Sequence, residues 1–172
     1  VNFKGVKYLV DLCKEFDIPL FHISTDYVFD GKSKESYTEE DFTNPINSYG
    51  SSKLLGEEVI QKNLSKFIIL RTSWVFSELG SNFLKSMIKI AKTSSTLNIV
   101  DDQFGGPTSS HEIAEVLIKF LNLYLKDPNL LEWGVYNFSG YPHVSWYSFA
   151  KKIFREARKL DILDSIPTLK PI

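Results

Sequence analysis

Apolar residues at Phe3, Val6, Leu9, Val10, Cys13 and Phe16 recur at helical spacing and stop before Pro19, which cannot continue a helix. The run Leu20-Phe21-His22-Ile23-Ser24 then predicts a short buried strand. A polar stretch from Asp30 to Asn47, broken by Gly31 and Pro45, predicts a loop long enough to be functional. Beyond it a helix is predicted from Ser48 to Asn63 and a buried strand over Phe67-Ile68-Ile69-Leu70. The alternation continues with a helix from Ser81 to Lys92, a strand from Leu97 to Val100, and a helix opened by the capping-box sequence Ser109-Ser110-His111-Glu112. That helix presents Ile113, Val116, Leu117, Phe120, Leu121 and Tyr124 on one face. Val135 to Phe138 predicts another strand, and Trp146, Phe149, Ala150, Ile153, Phe154, Ala157 and Leu160 line a last helix. Strands separated by helices imply right-handed crossovers and a parallel sheet covered on both faces, hence a layered α/β fold.

In such a fold ligands gather outside the carboxyl ends of the strands. The segments to inspect are therefore Ser24-Thr25-Asp26-Tyr27, Arg71-Thr72-Ser73-Trp74 and Asp101 to Thr108. In the last of these Gly105, Gly106 and Pro107 predict a tight structural turn before a helix.

Composition narrows the setting. With 172 residues, 43% of them hydrophobic, the chain can bury one core, and no repeat, low-complexity tract or Gly/Ser linker marks a domain boundary. Twenty Lys and Arg against twenty-one Asp and Glu leave a net charge of −1, which argues against binding a nucleic-acid backbone or an acidic lipid surface. The longest uncharged segment, Gly134 to Ala150, carries Pro142, His143 and several Ser, Tyr and Gly residues, so no membrane span is expected. Val1-Asn2-Phe3-Lys4 leads straight into a helix rather than a signal peptide. The single Cys13 forms no internal disulfide, and His22, His111 and His143 lack the spacing of a zinc site, so a cytoplasmic chain without a metal is expected.

Tyr49 and Lys53 lie four residues apart near the start of a predicted helix, on one face and about 6 Å apart along its axis. Using a tyrosine hydroxyl as proton donor and acceptor near neutrality requires stabilising its phenolate by roughly 4 kcal/mol. One ammonium about 5 Å away, at an effective dielectric near 20, supplies roughly 3 kcal/mol of that. Thr25, just after a buried strand, adds a hydroxyl able to bond a carbonyl oxygen. Tyr-x-x-x-Lys alone is equally a surface contact; it is the context that points to chemistry.

The strings Ser24-Thr25-Asp26-Tyr27-Val28-Phe29-Asp30-Gly31 and Asn47-Ser48-Tyr49-Gly50-Ser51-Ser52-Lys53-Leu54-Leu55-Gly56-Glu57 resemble the extended short-chain dehydrogenases/reductases, and within them the dTDP-4-dehydrorhamnose reductase family. Val1 to Val6, Leu70 to Phe76 and Asp102 to Thr108 are similar to that family in the same order, so the likeness spans nearly the whole chain. It implies a Rossmann-like doubly wound parallel sheet with a smaller C-terminal substrate-binding part. It also implies NADPH- or NADH-dependent reduction of the 4-keto group of dTDP-6-deoxy-L-lyxo-4-hexulose to dTDP-L-rhamnose. Carried over by position, Tyr49 is the proton donor, Lys53 holds the nicotinamide ribose and tunes Tyr49, and Thr25 assists at the keto oxygen. Asp26 and Trp74 fall at sugar-nucleotide contacts, and Asn2 matches an asparagine that helps hold the lysine. The partner expected is a sugar nucleotide, with a homodimer as a possible assembly.

One departure stands out. Family members carry a Gly-rich strand-to-helix turn that receives the cofactor pyrophosphate, and none of the nine glycines here forms such a set. The chain is thus expected to be the middle and later part of a longer reductase, combining part of the dinucleotide-binding domain with most of the substrate lobe. Two other readings share much of the pattern. A non-catalytic subunit like the regulatory beta subunit of methionine adenosyltransferase shares the first two strings but not Arg71-Thr72-Ser73-Trp74. Sugar-nucleotide epimerases and dehydratases usually have Val-Tyr-Gly where this chain has Val28-Phe29-Asp30-Gly31.

Overall fold

The computed structural model describes residues 1–172. In chain order the elements are α1 (Lys4–Glu15), β1 (Leu20–Thr25), α2 (Ser48–Asn63), β2 (Phe67–Thr72), β3 (Val75–Phe76), α3 (Phe83–Ala91), β4 (Thr96–Ile99), β5 (Phe104–Gly105), β6 (Thr108–Ser109), α4 (Ser110–Lys126), β7 (Gly134–Asn137), β8 (Val144–Ser145), α5 (Trp146–Lys159) and β9 (Thr168–Pro171). The chain divides into two units, one of Val1–Thr72 with Glu115–Phe138 and one of Ser73–Ala114 with Ser139–Ile172. No helix is long and apolar enough to cross a membrane.

The first unit is built on a three-stranded parallel sheet in the order β1-β2-β7. Its register pairs Leu20 with Phe67 through Thr25 with Thr72, and Ile68 with Gly134 through Arg71 with Asn137. Because side chains alternate between faces, Ile69 and Val135 point to one side, where Val6 and Val10 of α1 and Ile60 of α2 close a core. On the other side Phe120 of α4 meets the Tyr136 ring at 5.0 Å. A strand covered on both faces must be apolar at successive positions, which is why Ile68, Ile69 and Leu70 run together in the central β2. The loop after β1 is tied down over the carboxyl end of this sheet. Asp30 accepts from Lys32 N, Tyr37 Oη and Asn44 Nδ2, Tyr37 stacks on Phe29 at 4.3 Å, and Glu39 accepts from Asn137 N at 2.6 Å.

The second unit packs α3 and α5 around Met87, Ile99, Phe149, Ala150, Ile153, Phe154, Ala157 and Leu163. Its strands are short pairs: β3 with β6 and β4 with β9, both parallel, and β5 with β8, antiparallel. The strand read over Leu97 to Val100 therefore does not extend a single parallel sheet. It pairs instead with Thr168–Pro171, a segment whose proline and short length hide its strand character in the sequence. The apolar faces read from periodicity hold only in part: Val6, Val10 and Cys13 of α1 are buried, whereas Leu9 and Leu121 inside the helices and Phe3, Phe16 and Leu160 at helix ends are exposed.

Candidate active site

The first turn of α2 is set by Asn47, whose Oδ1 accepts from Gly50 N at 2.8 Å. This starts the helix at Ser48 and places Tyr49 in its first turn with Lys53 one turn further on. The same turn lies against the backbone that follows β1: a Cβ on Gly50 would fall 2.0 Å from the carbonyl oxygen of Tyr27. Only glycine permits that approach. The Tyr27 and Tyr49 rings meet edge to face at 5.9 Å, and Tyr49 is half exposed.

Lys53 is 8% exposed, and its Nζ donates to the carbonyl oxygen of Ile23 and to His22 Nε2. Burial lowers its pKa, and the Glu57 carboxylate pushes it back up. His22 is held down to about 4 by burial and by the neighbouring ammonium, so its imidazole is neutral and acts as acceptor through Nε2. Glu57 is itself fully buried and takes Arg71 on both oxygens, with Nε at 3.2 and 3.1 Å and Nη2 at 2.7 Å. The Arg71 guanidinium lies over the Phe29 ring at 5.1 Å.

At the carboxyl end of β1, Thr25 Oγ1 accepts from Tyr27 N at 3.2 Å and donates to Asp26 Oδ1 at 3.1 Å. Burial raises the pKa of Asp26 against its hydrogen bonds from Thr25 and the backbone. Asn2 precedes α1 rather than lying in it, and its Nδ2 donates to Ser52 Oγ at 3.1 Å, beside Lys53 in sequence. Five of the residues singled out from the sequence, Asn2, Thr25, Asp26, Tyr49 and Lys53, thus lie in the first unit.

Trp74 belongs to the second unit. Its ring stacks on Trp146 at 3.4 Å and 9° and lies against Gly105, where a Cβ would come within 2.5 Å of the indole. Its backbone sits at φ +46°, a left-handed conformation that costs a non-glycine residue on the order of 1 kcal/mol or more. Gly106, in the turn predicted as structural, offers its carbonyl to both Ser73 Oγ and Thr108 Oγ1, at 2.9 and 2.8 Å.

Three side chains of this network were given no role from the sequence: His22, Glu57 and Arg71. The signals were present. Glu57 follows Lys53 by one helical turn, and Arg71 is the lone charge ending an apolar strand. No group of three or more His, Cys, Asp and Glu side chains assembles anywhere in the chain.

The RmlD substrate binding domain family matches residues 1–172. A dTDP-4-dehydrorhamnose reductase of Aggregatibacter actinomycetemcomitans is 43% identical over 172 residues, covering 100% of this chain and 58% of that protein. The Escherichia coli K12 protein of the same name is 35% identical over 174 residues, covering 98% of this chain and 58% of its own length. Among solved structures, the dTDP-4-dehydrorhamnose reductase of Bacillus anthracis in complex with NADP superposes with a TM-score of 0.87 at 33% identity, covering 100% of this chain and 57% of that one. The chain spans somewhat over half the length of the relatives it matches. With a match along its full length and the parallel α/β scaffold that frames Tyr49 and Lys53, this chain belongs to the RmlD substrate binding domain family.

Proposed function

We propose that the protein carrying this chain is a sugar-nucleotide reductase that converts the 4-keto group of dTDP-6-deoxy-L-lyxo-4-hexulose to the alcohol of dTDP-L-rhamnose, using NADPH or NADH. The observation that carries the reading is a buried lysine anchored to the end of β1, one helical turn from a half-exposed tyrosine. The first unit is read as part of the dinucleotide-binding domain and the second as most of the substrate lobe. A cytoplasmic setting belongs to the same reading.

The residues present fit one end of the cofactor. Two of the three Lys53 N–H groups are used by Ile23 O and His22 Nε2, which leaves the third for a ribose hydroxyl. The hydride that lands on the carbonyl carbon is what a bound dihydronicotinamide supplies. As the C–H bond forms, the carbonyl electron pair moves to oxygen and Tyr49 Oη gives it a proton. The Lys53 ammonium stabilises the phenolate left behind, and solvent returns the proton because Tyr49 is half exposed. Thr25 steadies the keto oxygen once its hydroxyl hydrogen turns from Asp26, its present acceptor. Asp26 and Trp74 are assigned to sugar-nucleotide contacts, and the positive φ of Trp74 supports a functional constraint there.

The test is to assay the complete gene product with NADPH and the 4-keto sugar nucleotide. Cofactor oxidation is expected, with Tyr49→Phe slower by about 10²- to 10⁴-fold. Undiminished turnover in the variant overturns the assignment. Recovery of methionine adenosyltransferase in a pull-down, with no turnover, favours the regulatory subunit instead.

A further inference from the structure

Glu57 and Arg71 form an ion pair that is 0% and 6% exposed, between α2 and β2. Such a pair contributes little net stability, since desolvating both ions offsets their attraction and a well-packed apolar pair often does as well or better. Its presence one helical turn from Lys53 calls for another role.

We propose that Glu57 is a positioning residue: its carboxylate, clamped by Arg71 beneath α2, keeps Lys53 in its ammonium form at the end of β1. This rests on the reductase reading of the site. Without a counter-charge, a lysine as buried as Lys53 drifts toward the neutral amine, which would remove the charge that stabilises the Tyr49 phenolate. The other groups around it supply no such counter-charge. From β1, His22 is neutral and accepts a hydrogen bond. From the turn after β1, the Asp26 carboxylate accepts the Thr25 hydroxyl and is not one of the charges acting on Lys53, and Tyr27 lies against Tyr49. From α1, Val6 packs toward α2 at Gly56. On α2 itself, Tyr49 precedes Lys53 by one turn and Glu57 follows it by one turn. Glu57 is the negative charge that works against the burial of Lys53. Arg71 in turn holds that carboxylate by both oxygens, and its guanidinium lies over the Phe29 ring.

The experiment is the pH profile of kcat in the complete gene product. Reduction requires a charged Lys53, and losing a nearby negative charge makes it give up its proton at lower pH. Glu57→Gln is therefore expected to move the alkaline limb down by about 1 pH unit, while Glu57→Asp, which keeps the charge, leaves it in place. A purely structural role would lower activity equally across pH, and an unmoved limb in Glu57→Gln overturns the proposal. Should that variant fail to fold, the wild type still decides the question. The wild type supplies a reading that needs no variant: in protein labelled with 13C-lysine, the Lys53 Cε resonance should titrate above the pH range of turnover, and a Lys53 already neutral there overturns the proposal. Absence of wild-type turnover on the 4-keto sugar nucleotide would instead sink the reductase reading, which separates the two failures.

Discussion

A histidine that titrates near 4 inside a fold records how much burial and a neighbouring ammonium disfavour its charge, and His22 is such a group. Its depressed pKa has a stability consequence whose sign is fixed by linkage. Between about 4 and its ordinary 6.5, the unfolded chain binds a proton at His22 that the native chain does not. Stability is therefore whole above 6.5 and is lost as pH falls toward 4. Asp26, with a raised pKa, acts in the opposite sense, so the two must be separated by substitution. Urea midpoints measured from pH 7 to 4 should fall less steeply for His22→Gln than for the wild type, and parallel slopes would refute this account of His22. Of the candidate site, Tyr49, Lys53 and Thr25 were legible in the sequence, because residue type, helical spacing and position after a strand are local properties. The neutral state of His22 was not legible, since it depends on a contact with a residue 31 positions away.

At the scale of elements, the critical joint is the first turn of α2 against the backbone at Tyr27. Glycine in a helix ordinarily costs up to about 1 kcal/mol relative to alanine, so Gly50→Ala would stabilise an isolated helix. Here the added Cβ would fall 2.0 Å from Tyr27 O and 3.1 Å from Pro45 Cβ, which forces the turn outward. Thermal or urea unfolding should show Gly50→Ala destabilised by about 1–3 kcal/mol, whereas Gly5→Ala, with nothing within 4 Å of its Cβ, should be neutral or stabilising. A Gly50→Ala protein as stable as the wild type would mean that this joint does not constrain the helix. The five helices were legible from periodicity and punctuation: Pro19 follows α1, and the Ser109 to Glu112 capping box opens α4. The two-residue strands β3, β5, β6 and β8 were not, because a strand that short carries no alternation and exists only through its partner.

At the scale of the whole molecule, the chain crosses between its two units at Thr72–Ser73, Ala114–Glu115 and Phe138–Ser139, the second crossing falling inside α4. None of these points carries a Gly/Ser linker, so composition alone showed no boundary. The 172 residues hold no spaced glycine set for a pyrophosphate. Calorimetry on this chain by itself should accordingly find weak or absent NADPH binding, and a micromolar Kd would show that the pyrophosphate contacts are dispensable. The sequence by itself determined the α/β class, the helices and long strands, and the placing of Tyr49 and Lys53 one turn apart on α2, since each of these depends on residues a few positions apart. Tertiary structure alone decided that Arg71 meets Glu57, that Lys53 reaches β1 at His22 and Ile23, and that Trp74 lies on Trp146. The partner of a buried charge or ring is chosen by the register between elements, and register is a property of the packed core rather than of any local stretch of chain.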